Sequence, residues 1–123
     1  MSNYEIWRAE FPVQPLGKFD DGRLREVDGA ELHGAHRCIV VAKPERLTLV
    51  IPLTSAQNSR GAEKWPTVRK SWLRIYHDGK PAYAMFEQMR ALDDHRFNEQ
   101  EGELGEHDSQ LVETKLKALL NLI

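Results

Sequence analysis

The chain has 123 residues, of which 41 % are hydrophobic and 29 % charged, with a net charge of −2 and a pI near 6.2. These values fit one domain spanning 1–123, able to bury roughly two-thirds of its unfolded surface. They exclude a nucleic-acid binder that works by bulk charge, so a basic site must be local. The single cysteine, Cys38, excludes an internal disulfide and sits in an apolar run, which fits a reducing cytoplasm. No apolar run nears the roughly 18 residues of a membrane span, and the charged N-terminus is unlike a signal peptide.

In chain order, "YEIWRAEF" (4–11) reads as a first strand ending at Pro12. Residues 12–35 are rich in Pro, Gly and Asp and read as a long loop holding a short hairpin around Asp21-Gly22. "HRCIVVAK" (36–43) and "RLTLVIPL" (46–53) are β-branched runs expected to pair antiparallel. Residues 55–70 form a second polar loop. "SWLRIYH" (71–77) alternates like a half-buried strand, and Asp78-Gly79 marks a turn. "PAYAMFEQMRALD" (81–93) is one long strand or two with a kink. After Gly102 and Gly105, Val112, Leu116, Leu119, Leu120 and Ile123 fall at helical spacing, with Asp108 as the expected N-cap. The sum is a small mainly β barrel of about five to seven strands with one C-terminal helix. Nothing in it supports a parallel βαβ unit.

Three places put polar groups where strands alone do not need them. In "ELHGAHR" (31–37), His33, His36 and Arg37 crowd a strand entry, and the planar fork of an arginine suits phosphate as well as a surface carboxylate. Thr54 and Ser55 end the strongest strand, either as ligand-facing hydroxyls or as turn hydroxyls. Glu87 interrupts an apolar run, and strand parity sets it on the face of Tyr83 and Met85. A carboxylate there must be paired, exposed or shifted in pKa; Arg90 and Arg74 are the expected partners. The five histidines and one cysteine show no zinc-type spacing, so neither a metal nor a cofactor is expected.

The order "HRCIVVA", "VIPLTS", "WPT", "AMFEQMRALD" and a closing helix resembles the PemK/MazF family of toxin–antitoxin toxins. The resemblance runs over nearly the whole chain. Cys38 stands where many members have proline, and Glu87 where aspartate is usual. The family implies a small SH3-like barrel of the CcdB/PemK type. It also implies a cytoplasmic homodimer and a sequence-selective, metal-independent endoribonuclease acting on single-stranded RNA, held in check by an antitoxin. By that resemblance Arg37, Thr54, Ser55 and Glu87 carry the catalysis. His36, Arg60, Lys64, Trp65 and Arg69 supply the positive charge and stacking surface that single-stranded RNA needs. Trp65 serves equally well as a hydrophobic lid. Two alternatives differ in kind: a CcdB-like poison of DNA gyrase acting through Asn121 to Ile123, and a non-catalytic SH3-like module binding nucleic acid or peptide.

Overall fold

The computed structural model describes residues 4–11, 17–18, 24–25, 34–43 and 45–121. β1 (Glu5–Phe11) is the Trp-containing first strand. β2 (Gly17–Lys18) and β3 (Leu24–Arg25) pair antiparallel, so both arms of the expected hairpin exist; its turn lies outside the described residues. β4 (Gly34–Ala42) and β5 (Leu47–Ser55) are the two β-branched runs, paired antiparallel with Ile39 opposite Ile51. β6 (Trp72–His77) and β7 (Lys80–Met85) make a hairpin across Asp78-Gly79. The φ angles there, 52° and 74°, are the left-handed pair that a two-residue hairpin turn requires. β8 (Arg90–Asp93), β9 (Phe97–Glu103) and helix α1 (Glu106–Asn121) complete the chain.

β6, β7, β5, β4, β1 and β9 lie side by side in that order, every pair antiparallel, and β8 adds to β5. The fold is mainly β, a small barrel-like sheet with one C-terminal helix. β5 is its pivot. Its first half pairs with β8 up to Val50–Arg90, and its last three residues pair with β7 from Leu53–Ala84. Pro52 falls at the exchange, where a strand can tolerate a missing N–H donor.

Adjacent residues of β4 and β5 enter separate cores, because successive side chains point to opposite faces. Ile6, Ile39, Ile51, Leu53 and Ile75 fill one core, closed by Leu104, Val112 and Leu116. Ala9, Phe11, Cys38, Val50 and Leu92 fill the other, with Trp7 edge-on to Phe97 at 6.0 Å. Each isoleucine so buried contributes roughly 1.5–3 kcal/mol.

Three local expectations need correction. β9 was not anticipated: "FNEQEGE" carries the charge of an exposed edge strand rather than an apolar pattern. Glu87 does not share a face with Tyr83 and Met85. The chain leaves β7 at Met85 and turns through a 3₁₀ segment, Phe86–Gln88, which breaks the period-two alternation. Asp108 is not the N-cap, because α1 starts at Glu106; its Oδ2 accepts from the Tyr76 backbone N–H at 2.9 Å and ties the helix to β6. Leu116 is buried at 9 % exposure, so the helix docks on its own barrel, while Leu120 stays 62 % exposed. Ile123 lies outside the described residues.

Candidate active site

Four strands end their interior apolar rows on a polar residue at the same end of the barrel. Two residues beyond Ile6, Leu53 and Ile75 come Arg8, Ser55 and His77; two residues before Ile39 comes Arg37. The antiparallel register brings these ends together, and Arg8 lies directly opposite Arg37. The apolar rows thus place polar groups at the mouth while their own burial holds the strands.

The polar groups engage one another. Arg37 Nη1 lies 2.9 Å from His77 Nδ1, and Arg37 Nη2 donates to Ser55 Oγ at 3.3 Å. His77 Nε2 lies 3.0 Å from the Glu101 carbonyl oxygen. Arg8 pairs with the Glu101 carboxylate through Nε and, at 3.4 Å, through Nη2. Burial pushes the Arg37 guanidinium below its ordinary pKa. Glu101 opposes that shift, Arg8 adds to it, and Asp78 opposes it.

A cavity of about 630 Å³ opens here, lined by Arg8, Arg37, His77, Asp78, Lys80 and Glu101 together with Ser55, residues 57–59 and Gly61 of the loop that follows. A second, of about 250 Å³, lies across Arg37 and is lined by Thr54, Ser55, Ala35, His36 and Lys64. Arg8, Arg37 and Ser55 belong to both. The loop between β5 and β6 is built rather than slack. Asn58 Oδ1 accepts from the N–H groups of Arg60 and Ala62, and Lys64 N–H donates to the Ala56 carbonyl.

Three of the four expected catalytic residues therefore converge. Thr54 is 4 % exposed and Ser55 is exposed. They point to opposite faces of β5, yet both border the smaller cavity beside Arg37. Glu87 stands apart. Its carboxylate accepts from Trp72 Nε1 at 2.9 Å and Ser71 Oγ at 3.0 Å, with Arg69 Nη1 at 3.5 Å. Its partner is thus Arg69, not the expected Arg90 or Arg74. Arg74 instead pairs with Glu63 at 2.6 Å and with the Tyr83 hydroxyl at 3.0 Å.

Of the expected RNA-binding residues, His36 lies edge-on to Phe11 at 6.2 Å, and Lys64 sits 5.4 Å over the Trp65 ring. Trp65 packs edge-on against Trp72 at 5.2 Å, and Trp72 tilts over Tyr83 at 5.5 Å. Arg60 and Arg69 are exposed in the 55–70 loop and border neither cavity. Arg8, His77 and Glu101 were not foreseen. A polar residue two positions past an interior isoleucine is the signal that could have found the first two. Glu101 lies on the strand that went unseen.

Among the described residues no group of three or more His, Cys, Asp or Glu side chains could hold a metal ion, and no helix is long and apolar enough to cross a membrane. No curated relative matches the chain. The profile of one family, described as PemK-like, MazF-like toxin of type II toxin-antitoxin system, matches residues 4–120. That span takes in every strand of the sheet, both cavities and nearly all of the helix, and the chain belongs to this PemK/MazF toxin family.

Proposed function

We propose that this toxin cuts single-stranded RNA without a metal ion, using the RNA's own 2′-hydroxyl as the nucleophile. The observation that carries the reading is the gathering of Arg37, Ser55 and Thr54 beside an open cavity at one barrel end. The 2′-oxygen bonds to the adjacent phosphorus, its proton leaves, and the bond from phosphorus to the 5′-oxygen breaks. The products are a 2′,3′-cyclic phosphate and a 5′-hydroxyl. Arg37 stabilises the charge that builds on the phosphorus oxygens and donates to the departing 5′-oxygen, which takes up the proton. Ser55 and Thr54 hydrogen-bond the phosphate. Glu101 and Asp78 are the carboxylates that line the cavity, and we assign the 2′-proton to Glu101 because the Asp78 side chain is 81 % exposed to water. Glu87 is left out of the proton steps because it borders neither cavity.

The RNA strand continues from the cavity over Lys64 and Trp65, with His36, Arg60 and Arg69 adding charge and the Trp65–Trp72–Tyr83 surface adding stacking. The toxin acts in the cytoplasm as a homodimer, and its partner is the antitoxin that membership of a type II system implies.

The test is cleavage of a defined single-stranded RNA by purified protein in EDTA, beside Arg37→Ala. The wild type is expected to cut at a few sites and leave cyclic phosphate ends. Losing the arginine lowers the rate by about 10²–10³. Uncut RNA with folded wild-type protein overturns the reading and favours a gyrase-type target or a binding module. Undiminished cutting by folded Arg37→Ala removes Arg37 from the site.

A further inference from the structure

We propose that His77 is a positioning residue that holds Arg37 in its working orientation, and that protonation of the His77 ring releases it. The consequence for rate rests on the ribonuclease reading; the contact itself does not.

A guanidinium can only donate, so at 2.9 Å His77 Nδ1 must be the acceptor from Arg37 Nη1. A carbonyl can only accept, so His77 Nε2 carries the proton and donates to Glu101. Both contacts are satisfied by one species, the neutral imidazole with its proton on Nε2. The ring is 6 % exposed and has little freedom to turn away.

The β9 backbone is shaped to make the second contact. In its pairing with β1, Ile6 faces Gly102 and Trp7 faces Gln100, so Glu101 is an extra, bulged residue. Gly102 follows at φ 144°, and a Cβ there would sit 3.4 Å from His77 Nε2. The bulge turns the Glu101 carbonyl onto the ring while its carboxylate takes Arg8. His77 is therefore clamped between a backbone carbonyl and the guanidinium that the proposed chemistry uses.

A proton on Nδ1 would point an N–H at an N–H and set one cation against another. The charged groups that line the cavity with His77 are Arg37 on β4, Arg8 on β1, Glu101 on β9, Lys80 on β7 and Asp78 in the adjoining turn. The Glu101 carboxylate is taken by Arg8. The Asp78 carboxylate lies 3.6 Å from Nε2, the other side of the ring, and its side chain is 81 % exposed to screening water. The Nδ1 side thus faces Arg37. Once Nδ1 takes up a proton, the guanidinium loses its acceptor and its orientation.

The experiment joins two readouts on full-length protein. In ¹⁵N spectra of the histidine rings at about pH 8, His77 is expected with Nε2 protonated and Nδ1 bare, and its Nδ1 signal shifts in Arg37→Ala. Single-turnover cleavage of an RNA oligonucleotide is then followed from about pH 5 to about pH 8. His77→Leu should lower the rate roughly ten- to a hundredfold with the RNA dissociation constant little changed, the mark of misplacement rather than lost binding. His77→Gln, whose amide oxygen can accept from Arg37 while its NH₂ donates to Glu101, should restore most of that loss and remove the acid limb.

A wild-type rate in His77→Leu, or a wild-type acid limb in His77→Gln, overturns the proposal. A protonated Nδ1 at about pH 8 overturns the contact itself. Uncut RNA with the wild type fails the ribonuclease reading, and the spectra then decide the contact alone.

Discussion

Trp65 donates its indole N–H to the carbonyl oxygen of Ser55 at 3.0 Å. The residue whose hydroxyl meets Arg37 thus also anchors, through its backbone, the aromatic surface outside the cavity. Trp65 rests on Trp72, and Trp72 donates to Glu87. Charge and stacking surface are joined through one strand end, and Glu87 is at the far end of the connection from Arg37.

Glu87→Ala should therefore behave unlike Arg37→Ala. It removes the acceptor of a half-buried indole and a hydroxyl, so stability falls by about 1 kcal/mol. RNA affinity weakens as Trp72 loosens, while the single-turnover rate falls far less than the loss of about 10²–10³ expected for Arg37→Ala. Equal losses in the two variants would return Glu87 to the chemical step. Urea unfolding with filter binding and single-turnover kinetics separates the outcomes.

Gly102→Ala should cost about 1–3 kcal/mol of stability, because φ 144° is a conformation that side chains rarely adopt. Gly61→Ala is the matched control: its φ is 80°, with nothing near the added carbon. Both variants should unfold at lower urea. Only Gly102→Ala should shift the His77 ring signals.

Cys38 is buried, and that burial pushes its thiol up to about 12 from the ordinary 9.0. The native thiol should resist iodoacetamide at about pH 8 under conditions that label the urea-unfolded chain. A raised folded-state pKa leaves this contribution to stability intact below about pH 9 and removes it as pH rises from about 9 to about 12. Tyr4 is also raised by burial and shifts stability in the same direction. The difference between wild type and Cys38→Ala isolates the thiol; parallel pH curves for the two would refute the assignment.

The two leucines on the helix should part company. Leu116→Ala opens a cavity under the barrel and is expected to cost about 2–4 kcal/mol. Leu120→Ala should change monomer stability by less than about 0.5 kcal/mol. A melting temperature that depends on protein concentration in the wild type but not in Leu120→Ala would mark that face as part of the proposed homodimer contact.

The sequence by itself determined the strands that alternate or run apolar, the Asp78-Gly79 turn and the amphipathic helix. It also singled out Arg37, Thr54 and Ser55 as polar groups at the ends of apolar strands, and only the family resemblance gave them their expected role. It did not show β9, since an edge strand solvated on its outer side needs no apolar pattern. It misplaced Glu87, because a single 3₁₀ turn cancels strand parity. Only the tertiary structure joined Arg37 to His77, 40 residues apart, and His77 in turn to a bulge on β9. That joining depends on antiparallel register and on one glycine's backbone angle. Neither leaves a local trace in the chain, because each is fixed by which strand lies beside which.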